Sequence, residues 1–325
     1  MSNSHILIIK PPAKFARSSV KLGLIFLLLV LSSTSQKIYA AGNQLIEAIM
    51  RSDFVFDRNI SNVPFIPLGY LTFSQQNSLE IEDDCQLKDC ELDYQSISQG
   101  FGLPVWVGKK NMVIIGETLE SDYIELGNDS ERINTGGVLG AWVAQPTDTW
   151  QAGAFLYAYR GIGNTELART PKGSVVGGVA RYRHKPEFHS YWGIVRIDEF
   201  SEETLYPYIG FDWYIDKEWS VSALLPWPTI SYSKTVNSIV HLGALYSGSA
   251  WVADQQGRLV NKDFQKIDFG VSYEHRLKGM IWGEIGAGYS GFGKMTIRSN
   301  SDVDFETDVS GAPFIKLSIK IRPES

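Results

Sequence analysis

The chain has 325 residues with 30 basic and 36 acidic side chains, a formal charge of -6, 30 glycines, nine tryptophans and two cysteines. Its acidic balance argues against nucleic acid as a partner. Past the amino-terminal segment no apolar run approaches the length of a membrane-spanning helix.

Residues 1–40 read as a secretory signal peptide. Lys10, Lys14, Arg17 and Lys21 precede an apolar stretch from Leu22 to Leu31, then small residues and a cleavage site after Ala40. Ten apolar residues rise about 15 Å as a helix, half the hydrocarbon thickness, so an uncleaved anchor is disfavoured. Cleavage removes five basic and no acidic residues, which takes the charge to -11. Residues 41–63 form an amino-terminal periplasmic segment, read as a tail, with a short helix entering the lumen as the alternative. Cys85 and Cys90 lie in a polar stretch of an exported chain, so a disulfide pinning one loop is expected.

From residue 64 to 325 the chain reads as one closed sheet, long for a single domain but without linker, repeat or low-complexity run. Segments of about ten residues, rich in Trp, Tyr, Val, Ile and Gly, alternate in polarity and are separated by polar turns. Tight connections fall at residues 109–111, 146–148, 184–187, 216–218 and 277–279, and longer polar links at 125–132, 161–172, 247–263 and 293–311. Short turns on one side and long loops on the other are expected of an outer-membrane barrel. Keeping that order requires a break at Pro226, Trp227 and Pro228, because proline cannot donate to an interior ladder. Fourteen strands result, starting at Pro64, Gln95, Met112, Ile133, Thr149, Gly173, Phe188, Leu205, Trp219, Thr229, Ser238, Phe264, Met280 and Gly311, with both ends periplasmic. The two pieces beside the prolines are short for a crossing, so twelve strands is the alternative. The fold class is thus an all-β, antiparallel, up-and-down transmembrane β-barrel, to be exported to the outer membrane, with bilayer lipid and the barrel-assembly machinery as partners.

Face assignment follows from parity. Ile209, Phe211, Trp213 and Ile215 oppose Tyr208, Gly210, Asp212 and Tyr214; Phe269, Val271 and Tyr273 oppose Gly270, Ser272 and Glu274; Ile315, Leu317, Ile319 and Ile321 oppose Lys316, Ser318, Lys320 and Arg322. A soluble sandwich would alternate in the same way, but glycine crowded together with charge on the polar face fits the inside of a closed ring. Tryptophans 106, 150, 219, 227, 251 and 282 sit near strand ends, as in rim belts.

The stretch "WSVSALLPWPTISY", Trp219 to Tyr232, with "YPYIGFDWYIDKE" before it and "LGALYSGSAW" after it, resembles a family of uncharacterised outer-membrane β-barrel proteins of Gram-negative bacteria. The resemblance implies place and fold, and no catalytic residue comes with it. Many such barrels end on an aromatic residue; this chain ends "IRPES", which moves the expected assembly signal to residues 314–322.

No catalytic set is expected. His189 and Ser190 are adjacent and would point to opposite faces of a strand, and His241 has no nucleophile near it in sequence. The acidic runs 80–84 and 301–308 read as solvated loops, with divalent cations as the alternative, and the glycines of "GEIGAGYSGFG" open no helix, so no phosphate loop, cofactor or metal is expected. The lumen candidates are the charges Asp212, Glu274, Arg276, Glu284, Lys316, Lys320 and Arg322, with Arg181, Arg183 and Arg196 as further members. Charge inside a barrel needs water or a counter-ion, so the lumen is either a wet passage or an ion-pair network. A passive pore for small solutes is the leading reading, with a filled structural or binding barrel next and a lipid-modifying enzyme last.

Overall fold

The computed structural model describes residues 60–64, 66–80, 91–126, 129–161, 172–199, 202–224, 227–255, 258–299 and 302–323. The signal peptide, most of the segment 41–63 and both cysteines lie outside the described residues.

Among the described residues fifteen strand segments follow one another: β1 (Gly69–Glu80), β2 (Glu91–Val107), β3 (Asn111–Leu126), β4 (Asp129–Ala144), β5 (Trp150–Gly161), β6 (Lys172–Lys185), β7 (Phe188–Glu199), β8 (Glu202–Tyr214), β9 (Trp219–Leu224), β10 (Trp227–Thr235), β11 (Ser238–Gln255), β12 (Arg258–Lys278), β13 (Ile281–Ser299), β14 (Asp302–Val309) and β15 (Ala312–Ile321). Each pairs antiparallel with its sequence neighbour, except that β14 and β15 both lie along β13, β15 against residues 281–290 and β14 against residues 293–299. They are two halves of one final stave, so the ring has fourteen staves. It closes where β1 pairs with β15, from Gly69↔Ile321 to Gln76↔Phe314. Closure leaves no edge there, and residues 69–76 of β1 pair on both sides, with β15 and with β2.

The turns that the sequence marks as tight, at residues 109–111, 146–148, 184–187, 216–218 and 277–279, fall at one rim. There Asp216 Oδ1 accepts from the N–H groups of Glu218 and Trp219, both at 2.7 Å, and Gly279 adopts φ 54° in the two-residue turn between β12 and β13. Six exposed tryptophans, Trp106, Trp142, Trp150, Trp192, Trp213 and Trp219, gather near this same rim. Trp150, Tyr182 and Trp192 pack together with ring centroids 4.8 to 6.5 Å apart. Such a belt marks a membrane interface. Between the rims the outer face exposes Ile115, Val138, Leu156, Ile194, Ile209, Leu242, Val271, Ile285 and Leu317, while their neighbours of opposite parity turn inward. That is far more contiguous apolar surface than water tolerates, and lipid is the solvent that fits it.

The opposite rim corrects the expected loops. Residues 125–132, 247–263 and 293–311 were assigned to links, yet the ladders run on through them to Leu126↔Asp129, Gln255↔Arg258 and Ser299↔Asp302. The walls continue past the bilayer as hairpins, and their polarity inverts there: on β7, Val195 and Ile197 face in while Arg196 and Asp198 face out. A strand that leaves lipid for water no longer needs an apolar outer face, so alternation anchored in the membrane mislocates strand ends beyond it. On β13 a bulge, with Phe292 at φ 51° and Phe292 and Gly293 opposite Lys266, switches the inward parity from Ser290 to Met295.

Residues 60–64 are also tied down rather than trailing. The Asn62 N–H donates to Lys217 O at 2.7 Å, its Nδ2 donates to Ser233 O at 3.0 Å, and Ser233 Oγ donates to Asn62 O at 3.1 Å. Those partners lie at the inner ends of β9 and β10, whereas the Leu68 N–H donates to Ile321 O on β15, so Asn62 and Leu68 are anchored on opposite sides of the inner mouth.

Gly288 shows how closely the wall is packed at β12–β13, since a Cβ there would lie 2.0 Å from Phe269 O and 2.7 Å from the Phe314 ring. Gly288→Ala is expected to destabilise the barrel by about 1–3 kcal/mol through overpacking. The measurement is the temperature at which the folded, fast-migrating gel band converts to the unfolded one, which should fall relative to wild type.

Candidate functional site

Toward the inner rim, β11, β12, β13 and β15 build an ion-pair sheet on the inward face. The register sets Glu274 beside Glu284, a repulsive pair that cations from β15 resolve. Lys320 Nζ lies 2.5 Å from Glu274 Oε1 and 3.0 Å from Glu284 Oε2. Arg322 Nη2 lies 2.6 Å from Glu274 Oε2, and Lys316 Nζ lies 3.2 Å from Glu284 Oε1. Both carboxylates are almost wholly buried, at 1% and 2% side-chain exposure. Arg322 also covers the Trp282 ring at 5.7 Å. Of the sequence candidates the structure therefore brings Glu274, Glu284, Lys316, Lys320 and Arg322 together as a laced network.

The other candidates stand apart. Asp212 on β8 accepts from Tyr191 Oη at 2.5 Å, in a separate polar patch where Arg181 donates to Gln151 at 2.8 Å and lies over the Tyr191 ring. Arg276 donates from Nε to Gly279 O at 2.6 Å and caps the turn. Arg183 sits on the inward face, but Arg196 faces outward and pairs with Glu203 at 2.8 Å, so it is not a lumen charge. The run 301–308, expected as a loop, is strand β14 from Asp302 onward, and Glu306 there pairs with Lys294 at 2.6 Å.

Register also supplies a partner that sequence proximity hid. Ser231 stands opposite His241 across β10–β11, and its Oγ lies 2.8 Å from His241 Nδ1, while His241 Nε2 is 3.4 Å from Glu274 Oε1. The expectation that His241 has no nucleophile nearby is overturned. The order Ser–His–Glu matches an acyl-transfer triad in spacing, yet Glu274 already carries Lys320 and Arg322, and Ser231 lies mid-ladder where backbone N–H groups are engaged between strands. The chain of bonds therefore orients side chains rather than activating a nucleophile. His189 is fully buried and Ser190 faces out, where it meets His184 at 2.7 Å.

At the outer end the two tallest walls touch. From β12 round to β4 the ring passes β13, β15, β1, β2 and β3, and in a round fourteen-strand barrel those two strands would stand about 27 Å apart. Instead, Lys262 Nζ on β12 reaches Glu131 Oε1 on β4 at 3.2 Å. Beneath that bridge Phe264 and Tyr94 meet with ring centroids 6.2 Å apart, and Lys266 lies 5.4 Å over the Tyr94 ring. Leu79, Leu92, Ile124, Ile133, Met295, Val309 and Ala312 complete a buried apolar cluster drawn from both walls. Buried polar groups line its inner border: Tyr94 Oη donates to Asp122 at 2.9 Å, and Lys266 pairs with Asp268 at 2.7 Å, which also takes bonds from Ser247 and Ser290. The ring is flattened here into two sheets packed face to face.

Solved structures align with most of the chain at low sequence identity. The translocator domain of autotransporter NalP from Neisseria meningitidis aligns over 87% of this chain and 95% of its own, at 10% identity and a TM-score of 0.38. A Pseudomonas aeruginosa FadL homologue aligns over 79% and 90%, at 8% identity and 0.44, and the KdgM porin in complex with disordered oligogalacturonate over 78% and 99%, at 7% and 0.32. No protein-family model matches the chain, and no curated protein matches it.

Two predictions follow from this geometry. Glu274→Gln removes the carboxylate that Lys320 and Arg322 share and leaves Glu284 to balance the cations of β15, and should lower unfolding stability in urea by about 3–5 kcal/mol, the usual penalty for breaking a buried pair. A fluorophosphonate probe should leave Ser231 unlabelled in folded protein, as read by peptide mass spectrometry.

Proposed function

We propose that this chain is exported through a cleaved signal peptide, with residues 85 and 90 joined as a disulfide, and resides in the outer membrane as a transport barrel for small solutes. Its lumen is narrow and closed at the outer end in the conformation described above. The observation that carries this reading is the pairing of a lipid-compatible outer face with an inward face of compensated charge in a ring of fourteen staves. Smaller rings are filled by their own side chains, whereas larger ones leave a channel. The ring is intermediate in size, and it needs the wall-to-wall contact of Phe264 with Tyr94 to shut its outer section. The ion-pair sheet adds one surplus cation, since Lys316, Lys320 and Arg322 face Glu274 and Glu284. That excess favours anionic or zwitterionic solutes over cations. Membership of the outer-membrane family resembled by Trp219–Tyr232 belongs to the same proposal.

A filled binding barrel is the second reading, favoured by the buried cluster itself. Conductance in a planar bilayer separates the two. Wild type should give small or infrequent steps, and Leu92→Ala with Phe264→Ala should enlarge them severalfold while Lys316→Gln weakens anion preference. A large steady current from wild type would contradict the closed outer end. Silence from both wild type and the double variant would favour the filled barrel.

A further inference from the structure

The wall is not of one height. β9 has six residues and rises about 15 Å at the usual strand tilt, against an apolar band about 25 Å tall. The ladder between β8 and β9 has three register pairs, ending at Asp212↔Ser222, and Gly210 still lies tight against Leu224. Above that point residues 202–209 of β8 pair only with β7, among the described residues. On the far side, β10 pairs with β11 no farther than Gly243, and residues 244–255 of β11 pair only with β12. Among the described residues two strand edges, β8 and β11, thus face a notch above the β9–β10 hairpin, which opens in the outer leaflet beside Ile209 and reaches the outer interface at Leu205 and Tyr206, opposite Arg196 and Val195.

The exposure pattern shows the same thing independently. On the neighbouring β7 exposure alternates from Tyr191 to Asp198, but on β8 Leu205, Tyr206 and Pro207 are exposed in succession, Leu205 at 60% and Tyr206 at 50%, although Tyr206 has lumen parity. Pro207 has no N–H to offer a neighbour and is confined to edges for that reason. Chemistry at the jambs is uniform: β8 from Thr204 to Phe211 and β11 from Leu242 to Ala253 contain no charged residue. Ile209 and Leu242 are exposed on the outer face beside the notch, and Leu245, of lumen parity opposite Asp268, is exposed as well.

We propose that this notch is a lateral window through which an amphipathic small molecule with an aliphatic or aromatic body passes between the outer leaflet and the lumen. The inference rests on the transport reading above and names its substrate class. With the outer section pinched by the Lys262–Glu131 and Phe264–Tyr94 contacts and Asn62 and Leu68 anchored on opposite sides of the inner mouth, the gap between β8 and β11 is where lumen and bilayer come together. Uncharged jambs admit an apolar body. Inside, the lumen offers Tyr208, Tyr191 with Asp212, and Tyr157 with Thr118 at 2.7 Å, which can take up the polar end of such a molecule. A bare edge in hydrocarbon also needs hydrogen-bond partners, and polar groups of a passing amphiphile, or water entering from the lumen, supply them.

The test places a small thiol-reactive fluorophore at Tyr206→Cys, Ile209→Cys or Thr72→Cys in a Cys85→Ser, Cys90→Ser background, in vesicles whose acyl chains carry bromine at outer-leaflet depth. Ile209 reports lipid contact from the outer face, and Thr72, bonded to Ser318 at 2.9 Å, reports the closed lumen wall. The window predicts a loss of fluorescence at Tyr206 of the same size as at Ile209, with none at Thr72. If Tyr206→Cys does not assemble, judged by heat-dependent gel mobility, Thr204→Cys probes the same face. A Tyr206 signal that tracks Thr72 would overturn the window. So would Leu205→Cys chains that cross-link to each other while Tyr206 stays unquenched, since the edges would then belong to a second copy. Conductance of wild type in the same lipid separates the two failures: conduction without quenching removes the window alone.

Discussion

A peptide group inside hydrocarbon has no water to bond, so a chain that spans a bilayer as strands must satisfy its N–H and C=O groups within its own wall. The β1–β15 ladder does this for the chain ends, and its register carries the side-chain consequences. Once Gly69 stands opposite Ile321, parity sends Ile315, Leu317 and Ile319 to lipid and Lys316, Lys320 and Arg322 to the lumen. Buried charge on one wall then requires its partners on the next, and the adjacency of Glu274 with Glu284 across β12–β13 makes the cations of β15 necessary rather than ornamental.

Height, not only closure, shapes the interior. Strands β11 to β13 and β2 to β4 have sixteen to twenty-one residues, well beyond the nine to eleven a crossing uses, and their upper halves stand in water. Out there the hydrophobic effect acts on the inner faces, so two apolar surfaces that would face each other across an aqueous lumen collapse together. Phe264, Leu92, Ile124 and Met295 are the product, a small soluble-type core set on top of a membrane barrel. The β9–β10 hairpin lacks that upper half and contributes nothing to the collapse. One sequence feature, the unequal length of neighbouring hairpins, thereby yields both a pinched outer section and a low sill.

Strand number and parity were legible in the sequence because they are local. The tight turns at 109–111, 184–187 and 216–218 and the prolines at 226 and 228 gave strand starts at the inner rim within about one residue of those observed for β3, β5, β7, β9, β11 and β13. Starts at the outer rim came late, by six residues for β12, since inverted alternation beyond the bilayer reads as a polar loop. Among the charges, Glu274, Glu284, Lys316, Lys320 and Arg322 could be placed on one face by counting, but their pairing needed the register. Contacts across the lumen left no local trace at all: nothing near Glu131 announces Lys262, and nothing near Ser231 announces His241. The outward turn of Arg196 escaped for the same reason as the outer loops, because it lies on the far side of the polarity inversion.

The central claim is that the outer section is flattened until β4 and β12 meet. Its most direct test is Glu131→Cys combined with Lys262→Cys in a chain lacking the native cysteines, treated in lipid with a bifunctional thiol reagent shorter than a round barrel is wide. The account predicts an efficient internal cross-link, seen as a mobility shift that survives boiling and appears in neither single variant. Absence of that cross-link in a folded, heat-modifiable barrel would show that the two walls stand apart, and the account of the lumen would fall with it.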